Sequence, residues 1–251
     1  MKSETLLFIH GFPFNSSMWD FQIEHFHGQY NTLAPDLRGH RDGPKGPGPW
    51  MIAHHVEDLK KLLQEKGIEK AHLIGCSMGG YIALHFVQQY PEKVASLVLC
   101  DTRADADSND AKDKRFALIQ RLHRDGLPAF ASDFAQTVLG ESTQKIKPSL
   151  LKKVEDMILS NTVEDVALSV GALASRRDST EALAKINCPC LVIVGIEDKV
   201  TPVDVNQKLA QGLKKSEFKK IPKAGHLANF EQPAAFNEAL QEFLKANIKP
   251  I

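Results

Sequence analysis

The chain has 251 residues, 43% of them hydrophobic and 25% charged, which is the composition of a globular protein rather than a disordered one. Thirty-one lysines and arginines balance 31 aspartates and glutamates, so no net charge is present to hold nucleic acid or an anionic membrane at long range. The length suits one α/β domain with a full hydrophobic core and leaves room for an inserted subdomain.

Short apolar runs alternate with helical patterns through most of the chain. The runs are continuous rather than alternating, which is typical of strands covered by helices on both faces. Strands are predicted at Thr5 to Ile9, Thr32 to Ala34, Ala71 to Ile74, Ser96 to Cys100, Leu191 to Val194 and Glu217 to Ile221. Helices are predicted at His54 to Lys66, Met78 to Tyr90, Val203 to Gly212 and Pro233 to Ala246. This alternation predicts an α/β fold with a doubly wound parallel sheet of about six strands.

Residues 103–186 break the alternation, because no convincing strand occurs among them. About four amphipathic helical patterns take their place, separated by glycine or proline. They are Ala111 to Arg124, Pro128 to Leu139, Ser149 to Leu159 and Val163 to Arg176. We therefore expect residues 1–102 and 187–251 to form an α/β core, and residues 103–186 to form a helical cap inserted between two of its strands.

The strongest chemical motif is Gly75-Cys76-Ser77-Met78-Gly79-Gly80. It follows a predicted strand and precedes a predicted helix, which is the context that a nucleophile elbow requires. Side chains at 75 and 79 would collide across so tight a turn, hence the glycines. The turn presents Ser77 at the carboxyl end of the strand, and the helix start favours a developing negative charge there. Ser77 is the predicted nucleophile.

His10-Gly11-Phe12-Pro13 directly follows the first predicted strand. A chain reversal here would bring a backbone N–H close to Ser77, where it could help to bind an oxyanion. The other donor in such a site is the residue after the nucleophile, so Phe12 and Met78 are the predicted oxyanion-hole residues through their main-chain N–H groups. We expect His10 to be a hydrogen-bonding scaffold for the turn rather than a catalytic group.

A base and an orienting carboxylate are predicted late in the chain. His226 follows the last predicted strand, and a late histidine fits the order of serine, acid and histidine along the chain. Asp198 follows the strand Leu191 to Val194 and can orient His226. Glu197 is its neighbour, and Asp101 is a rival because it also follows a predicted strand. Asp198 is the preferred choice.

Other patterns do not predict a cofactor or metal. Asp105 to Asp110 resembles the start of a calcium loop but has no glycine at its sixth position. Neither C-x-x-C nor a paired cysteine and histidine cluster occurs, so no metal is expected. No glycine loop of the form that cradles phosphate is present, and we expect no organic cofactor.

Cysteines and hydropathy bear on the location of the protein. Cys188 and Cys190 flank one proline and are too close for an ordinary disulfide, and three of the four cysteines lie beside or inside apolar runs. Free thiols in a reducing compartment are therefore predicted. The N-terminus does not read as a signal peptide, and no apolar run approaches the ~20 residues that span a bilayer. We expect a cytoplasmic protein with no membrane or nucleic-acid partner; the oligomeric state is not predicted.

Taken together, these motifs resemble the α/β-hydrolase superfamily over essentially the whole chain, and small bacterial carboxylesterases and oxoadipate enol-lactonase-like hydrolases within it. The matching stretches are Leu6 to Pro13, Asp36 to His40, Gly75 to Gly80, Gly195 to Asp198 and Gly225-His226. The resemblance implies a structural turn around Asp36 and Arg38. The chain departs from the family in carrying Arg41 where relatives usually have glycine, and in beginning almost at the family's third strand, which implies that two N-terminal strands are missing.

The sequence thus predicts a serine hydrolase that forms an acyl-enzyme with a small to medium apolar carboxylic ester as its small-molecule partner. Lactones, enol-lactones and carbon–carbon bonds are alternative targets of the same triad, and a non-catalytic ligand-binding receptor is an alternative of another class. Aromatic residues near the oxyanion loop and in the cap are expected to contact the substrate: Phe12, Phe14, Trp19, Phe130 and Phe134.

Overall fold

A computed structural model describes residues 4–247. Within them, six strands form one sheet in the order β2-β1-β3-β4-β5-β6, and every neighbouring pair is parallel. The strands are β1 (Thr5–Ile9), β2 (Asn31–Leu33), β3 (Ala71–Cys76), β4 (Val94–Cys100), β5 (Cys190–Gly195) and β6 (Ser216–Ile221). The predicted doubly wound parallel sheet is confirmed, and each predicted strand lies within three residues of its observed bounds at either end.

Helices flank this sheet. They are α1 (Asp20–Phe26), α2 (Ile52–Glu65), α3 (Met78–Gln89), α4 (Asn109–Asp125), α5 (Leu127–Val138), α6 (Glu141–Ile146), α7 (Ser149–Leu159), α8 (Val163–Ala174), α9 (Val203–Gly212), α10 (Ala228–Glu231) and α11 (Pro233–Asn247). Three short ones, α1, α6 and α10, were not predicted, because none is long enough to show a clear apolar period.

Position in the sheet explains the composition of each strand. Every residue of β1, β3 and β5 is buried, since these strands have neighbours on both sides and helices above and below. The edge strands β2 and β6 are partly exposed and carry polar residues. The carboxyl ends of all six strands meet at one edge of the sheet, which is where ligands bind in open parallel sheets.

The segment between β4 and β5 contains five helices, α4 to α8, and no strand. We call residues 103–186 the helical insertion. Helix α4 packs on α8, and α5 packs on α7. The sequence predicted four helices here, and α6 is the addition. Among the described residues no single helix is long and apolar enough to cross a membrane, although α7 and α8 pass that test as a pair bent by 93°.

Three buried histidines, His10, His40 and His55, lie close together near the carboxyl end of β1. The rings of His10 and His40 are 4.9 Å apart in an edge-to-face arrangement. His55 is fully buried, and neither of its ring nitrogens has a hydrogen-bond partner within residues 4–247. Burial lowers the pKa of His40 to about 4 and that of His55 to about 3.

These histidines predict that the protein loses stability in acid. Their pKa in the unfolded chain is about 6.5, so the unfolded state binds more protons below that pH and stability falls as pH drops toward the folded values. The imidazoles of His40 and His55 each remove up to about 3 kcal/mol of unfolding free energy by pH 4. We expect His55→Leu to flatten the dependence of Tm on pH between 7 and 4, whereas His27→Ala, at an exposed position, should leave it unchanged. An identical acid dependence in His55→Leu would contradict this account.

Candidate active site

Ser77 lies in the turn between β3 and α3, at the carboxyl edge of the sheet. Its backbone has φ 52° and ψ −113°, in the left-handed half of conformational space that non-glycine residues rarely adopt. A Cβ at Gly79 would lie 2.1 Å from the Ile9 oxygen, and one at Gly75 would lie 2.3 Å from the Gly79 oxygen. Only glycine fits at either position, so the steric reason predicted for both holds in the structure.

The structure brings His226 and Asp198 to Ser77. Atom Nε2 of His226 is 2.9 Å from Ser77 Oγ, and Nδ1 is 2.8 Å from Asp198 Oδ2. The network assigns the proton to Nδ1, so Nδ1–H donates to the carboxylate while Nε2 accepts from the serine hydroxyl. Ser77, Asp198 and His226 follow β3, β5 and β6, respectively. Because these strands are parallel, their carboxyl ends lie at the same edge of the sheet.

Asp198 is held by the loop that carries it. Its Oδ1 accepts hydrogen bonds from the backbone N–H of Val200 at 2.7 Å and of Thr201 at 3.0 Å, and its Oδ2 accepts from the Thr201 hydroxyl at 2.7 Å. Burial alone would raise its pKa, but the charge of His226 and these hydrogen bonds lower the pKa of Asp198 below its usual value. The carboxylate therefore stays ionised beside the imidazole. Thr201 was not predicted from the sequence, although a threonine three residues after the acid is compatible with such a turn.

The two rival carboxylates have other tasks. Asp101 is fully buried, and its oxygens accept from the N–H groups of Gly195 at 2.8 Å and of Ala228 at 3.3 Å. Burial and the nearby charge of Asp198 raise its pKa well above the usual range. Glu197 accepts from the N–H and the hydroxyl of Ser142, at the start of α6. Neither contacts the imidazole of His226, so the geometry favours Asp198.

The charge of Asp198 stabilises the cationic form of His226. Burial lowers the pKa of the ring, but the charge of Asp198 and its hydrogen bond outweigh burial, and Asp101 and Glu231 add to the effect, so that the pKa of His226 is raised above 6.5. An imidazole whose cationic form is stabilised in this way can take a proton from a serine hydroxyl during attack and return it to a leaving group.

The loop after β1 lies against Ser77. A Cβ at Gly11 would lie 3.3 Å from both Ser77 Cβ and the Cys76 oxygen, so this loop passes at van der Waals distance. Within residues 4–247 the N–H groups of Phe12 and Met78 have no hydrogen-bond partner. His10 supports the turn: Nδ1 donates to the Gly11 oxygen and Nε2 accepts from the Leu37 N–H, each at 2.9 Å. That scaffold role is the one predicted from the sequence.

Four of the predicted aromatic residues form one cluster between this loop and α5. The rings of Phe130 and Phe134 stack at 5.1 Å between centroids, and both lie near Phe12, at 6.2 and 6.0 Å. The ring of Phe14 is 6.1 Å from Phe134. Phe134 is partly exposed, whereas Phe14 is fully buried. The cluster places an apolar surface from the helical insertion beside the oxyanion loop.

Trp19 corrects the sequence prediction. Its side chain is fully buried, with ring centroids 5.2 Å from Phe8 and 6.1 Å from Phe236. It therefore packs between β1 and α11 as a core residue and does not join the aromatic cluster. Proximity in sequence to the oxyanion loop had suggested a substrate contact, but the short helix that begins at Ser16 turns the indole into the core.

Arg41, the residue that departs from the family, has φ 42°, the left-handed region that a glycine would adopt without strain. Its Nε donates to Asp36 Oδ2 at 2.8 Å, and its N–H donates to Asn161 Oδ1 at 3.0 Å. Asn161, in the helical insertion, donates in turn to the Pro13 oxygen at 2.8 Å. Asp36 Oδ1 also accepts from the Ser16 N–H at 2.8 Å. The structural turn at Asp36 thus fixes the oxyanion loop and the insertion together.

A cavity of about 610 Å³ lies elsewhere, between the loop before α2 and helices α4 and α8. Its walls are apolar and include Trp50, Met51, Ile119 and Leu168. None of the predicted site residues lines it.

Comparison with known proteins agrees with this architecture. The family described as alpha/beta hydrolase fold matches residues 4–233. Among curated proteins, 3-oxoadipate enol-lactonase 2 of Acinetobacter baylyi is 30% identical over 96% of this chain and 88% of its own length. A 2-hydroxy-6-oxononadienedioate/2-hydroxy-6-oxononatrienedioate hydrolase of Paraburkholderia phymatum is 31% identical over 74% of this chain and 66% of its own length.

Among solved structures, a thermophilic esterase from Thermogutta terrifontis with malate bound superimposes with a TM-score of 0.94. It is 36% identical in sequence, and the match covers 98% of this chain and 90% of the esterase. The names of these three relatives thus describe three different activities.

Proposed function

Because this chain belongs to the alpha/beta hydrolase fold family, we propose that it is a serine hydrolase that cleaves carboxylic esters through an acyl-enzyme intermediate. One observation carries the proposal: the 2.9 Å contact of Ser77 Oγ with His226 Nε2, continued by the 2.8 Å contact of His226 Nδ1 with Asp198. A serine is a weak nucleophile by itself, and a hydrogen-bonded base oriented by a third group activates it.

The reaction would proceed in two halves. His226 accepts the Ser77 proton as the hydroxyl oxygen attacks the ester carbonyl, and the N–H groups of Phe12 and Met78 bind the resulting oxyanion. The imidazolium then protonates the leaving alcohol, and an acyl-serine remains. Water attacks this acyl group with His226 again as base, which releases the acid and restores Ser77. Throughout, Asp198 keeps the imidazole oriented and stabilises its cationic form.

We propose further that the helical insertion acts as a cap over this site and that the substrate has an apolar portion. The aromatic cluster supports both ideas, because Phe130 and Phe134 of the insertion contact Phe12 of the oxyanion loop. Aromatic walls with few polar groups bind apolar acyl or alcohol moieties well. The cytoplasmic location expected from the sequence stays a prediction.

A lactone or enol-lactone is the second candidate substrate. Its support is the 30% identity to an enol-lactonase over 96% of the chain. A cyclic ester would react with the same serine, histidine and aspartate, and its alcohol would stay attached to the acyl group. The similarity to a hydrolase of 2-hydroxy-6-oxononadienedioate keeps carbon–carbon bond cleavage as a further alternative.

Labelling and turnover together test the proposed function. We expect a fluorophosphonate probe to modify Ser77 alone among the serines, as read by peptide mass spectrometry, because its hydroxyl contacts a base at the carboxyl edge of the sheet. The hydroxyl of Ser96 also contacts an imidazole, that of His72, but Ser96 is buried within β4 and out of reach of the probe. The same preparation should hydrolyse p-nitrophenyl acetate and short aryl esters. A panel of acyl lengths, lactones and diketones then ranks the substrate classes by kcat/KM.

The results of the labelling and of the substrate panel distinguish the candidate functions from one another. A preference for small charged esters over aryl or short-chain acyl esters would contradict the apolar substrate, and a preference for lactones would favour the second candidate. Labelling of Ser77 without turnover of any panel member would indicate a ligand-binding receptor on the same scaffold. If the probe labels another serine, or none, Ser77 is not an activated nucleophile.

A further inference from the structure

Glu231 is a fully buried carboxylate five residues after the proposed base. A buried carboxylate is costly unless hydrogen bonds compensate for the lost water. Here its oxygens accept from backbone N–H groups, and burial raises the pKa of Glu231 above its usual value. The mechanism above makes no use of this residue, so its burial calls for another explanation.

Glu231 forms hydrogen bonds to the backbone on both sides of His226. Oε1 accepts from the N–H of Gly225 at 2.8 Å and from the N–H of Leu227 at 3.2 Å, the residues on either side of the histidine. The N–H of His226 itself donates to the Val138 oxygen at 2.8 Å, at the end of α5. Three consecutive N–H groups are thus bound, two by Glu231 and one by the helical insertion.

The second oxygen of Glu231 reaches the insertion. Oε2 accepts from the N–H of Gly140 at 2.8 Å, between α5 and α6. The contact is close, because a Cβ at Gly225 would lie 2.4 Å from the Gly140 nitrogen. The Lys147 ammonium, just after α6, also donates to the Glu231 backbone oxygen at 3.0 Å. Residues 138–147 of the insertion therefore pack directly on the loop that carries His226.

We propose that Glu231 is a positioning residue for His226: one carboxylate oxygen fixes the backbone on both sides of the imidazole, and the other fastens that loop to the helical insertion. The proposal rests on the function proposed above, because it needs His226 to be the base. Catalysis through a 2.9 Å contact is sensitive to small shifts, since a displacement of about 1 Å can reduce the rate about 100-fold.

Glu231→Gln tests this role with little change of shape. An amide offers one acceptor oxygen and one N–H₂ group, so it cannot accept hydrogen bonds on both sides at once. We expect kcat for p-nitrophenyl acetate to fall about 10- to 100-fold, with KM within about twofold of wild type. The acidic limb of the kcat/KM profile should also move to lower pH, because the charge at 231 favours protonated His226.

The matched control is Glu197→Gln. Glu197 also accepts from a backbone N–H of the insertion, that of Ser142 at 2.8 Å, but within residues 4–247 its carboxylate forms no hydrogen bond to residues 225–227. This variant should lower Tm and leave kcat per folded site and the acidic limb unchanged. The concentration of folded sites is measured by fluorophosphonate titration in every sample. Because kcat is calculated per titrated site, unfolded protein in a sample does not lower the measured kcat.

The inference is overturned if folded Glu231→Gln has wild-type kcat and an unshifted acidic limb, or if Glu197→Gln changes both as strongly. Should Glu231→Gln fail to fold, Glu231→Asp is measured instead: it keeps the charge and both oxygens but is too short to span the loop and the insertion, so a wild-type kcat there overturns the proposal too. Full activity in Ser77→Ala would instead overturn the function on which the inference rests.

Discussion

Ser77→Ala should abolish ester hydrolysis, with kcat reduced at least about 10⁴-fold, toward the level that the oxyanion donors alone support. The substitution removes the oxygen atom that would form the acyl-enzyme. It also removes the hydrogen bond of that hydroxyl to His226 Nε2 and leaves the surrounding residues in place. The strained backbone at φ 52° is set by the turn and not by the hydroxyl. We therefore expect a Tm within a few degrees of wild type.

The measurement is steady-state hydrolysis of p-nitrophenyl acetate, with circular dichroism to show that the variant is folded. Ser160→Ala is a suitable control, because Ser160 is exposed, and its hydroxyl donates to the Met157 oxygen in the insertion. It should retain wild-type kcat. An esterase rate in Ser77→Ala close to that of wild type would remove the nucleophile from the mechanism and with it the proposed function.

Asp198→Asn should lower kcat by about 10³- to 10⁴-fold through a change of tautomer at His226. The N–H groups of Val200 and Thr201 donate to Oδ1, so they would orient the amide oxygen toward themselves and the amide N–H₂ toward the imidazole. Nδ1 would then accept and Nε2 would carry the proton. An Nε2–H cannot accept the proton of Ser77, so attack slows although the geometry is kept.

Asp101→Asn separates the two buried acids. Asp101 binds the N–H groups of Gly195 and Ala228 and does not contact the imidazole. We expect a loss of about 1 to 3 kcal/mol in stability, because one buried N–H loses its acceptor, but a decrease in kcat of less than about tenfold. Urea unfolding and ester kinetics on both variants decide the matter. If Asp101→Asn were as inactive as Asp198→Asn, Asp101 would have to be the group that orients His226.

The core was predictable because its signals are local. Continuous apolar runs such as Leu6 to Ile9 predict buried strands, and a glycine-flanked serine between a strand and a helix predicts a tight turn. Chain order then predicts where the acid and the histidine follow. Since all strands are parallel, residues after different strands meet at one edge, and this brings Ser77, Asp198 and His226 together.

What could not be predicted depends on partners that are distant in sequence. Glu231 acts through the N–H of Gly140, 91 positions away, and nothing in the sequence near either residue indicates this contact. Helix α6 is short and polar and begins where Glu197 accepts from Ser142, again across a long separation. The sequence does show a lone acidic residue, Glu231, directly after the mostly apolar stretch Leu227 to Phe230, but this pattern does not identify the hydrogen-bond partners of its carboxylate. Trp19 was wrongly predicted to contact the substrate because it is close in sequence to the oxyanion loop, whereas the residues it packs against, Phe8 and Phe236, are distant from it in sequence.

The double attachment of the insertion limits how the substrate range of this protein can be altered. One attachment runs through Asn161 to Pro13 and Arg41, beside the oxyanion donors, and the other runs through Gly140 to Glu231, beside the base. A chimera that received a relative's whole insertion would have to re-form both supports at once. Point substitutions at Phe134, which is partly exposed and takes part in none of these hydrogen bonds, offer a safer route to a different specificity.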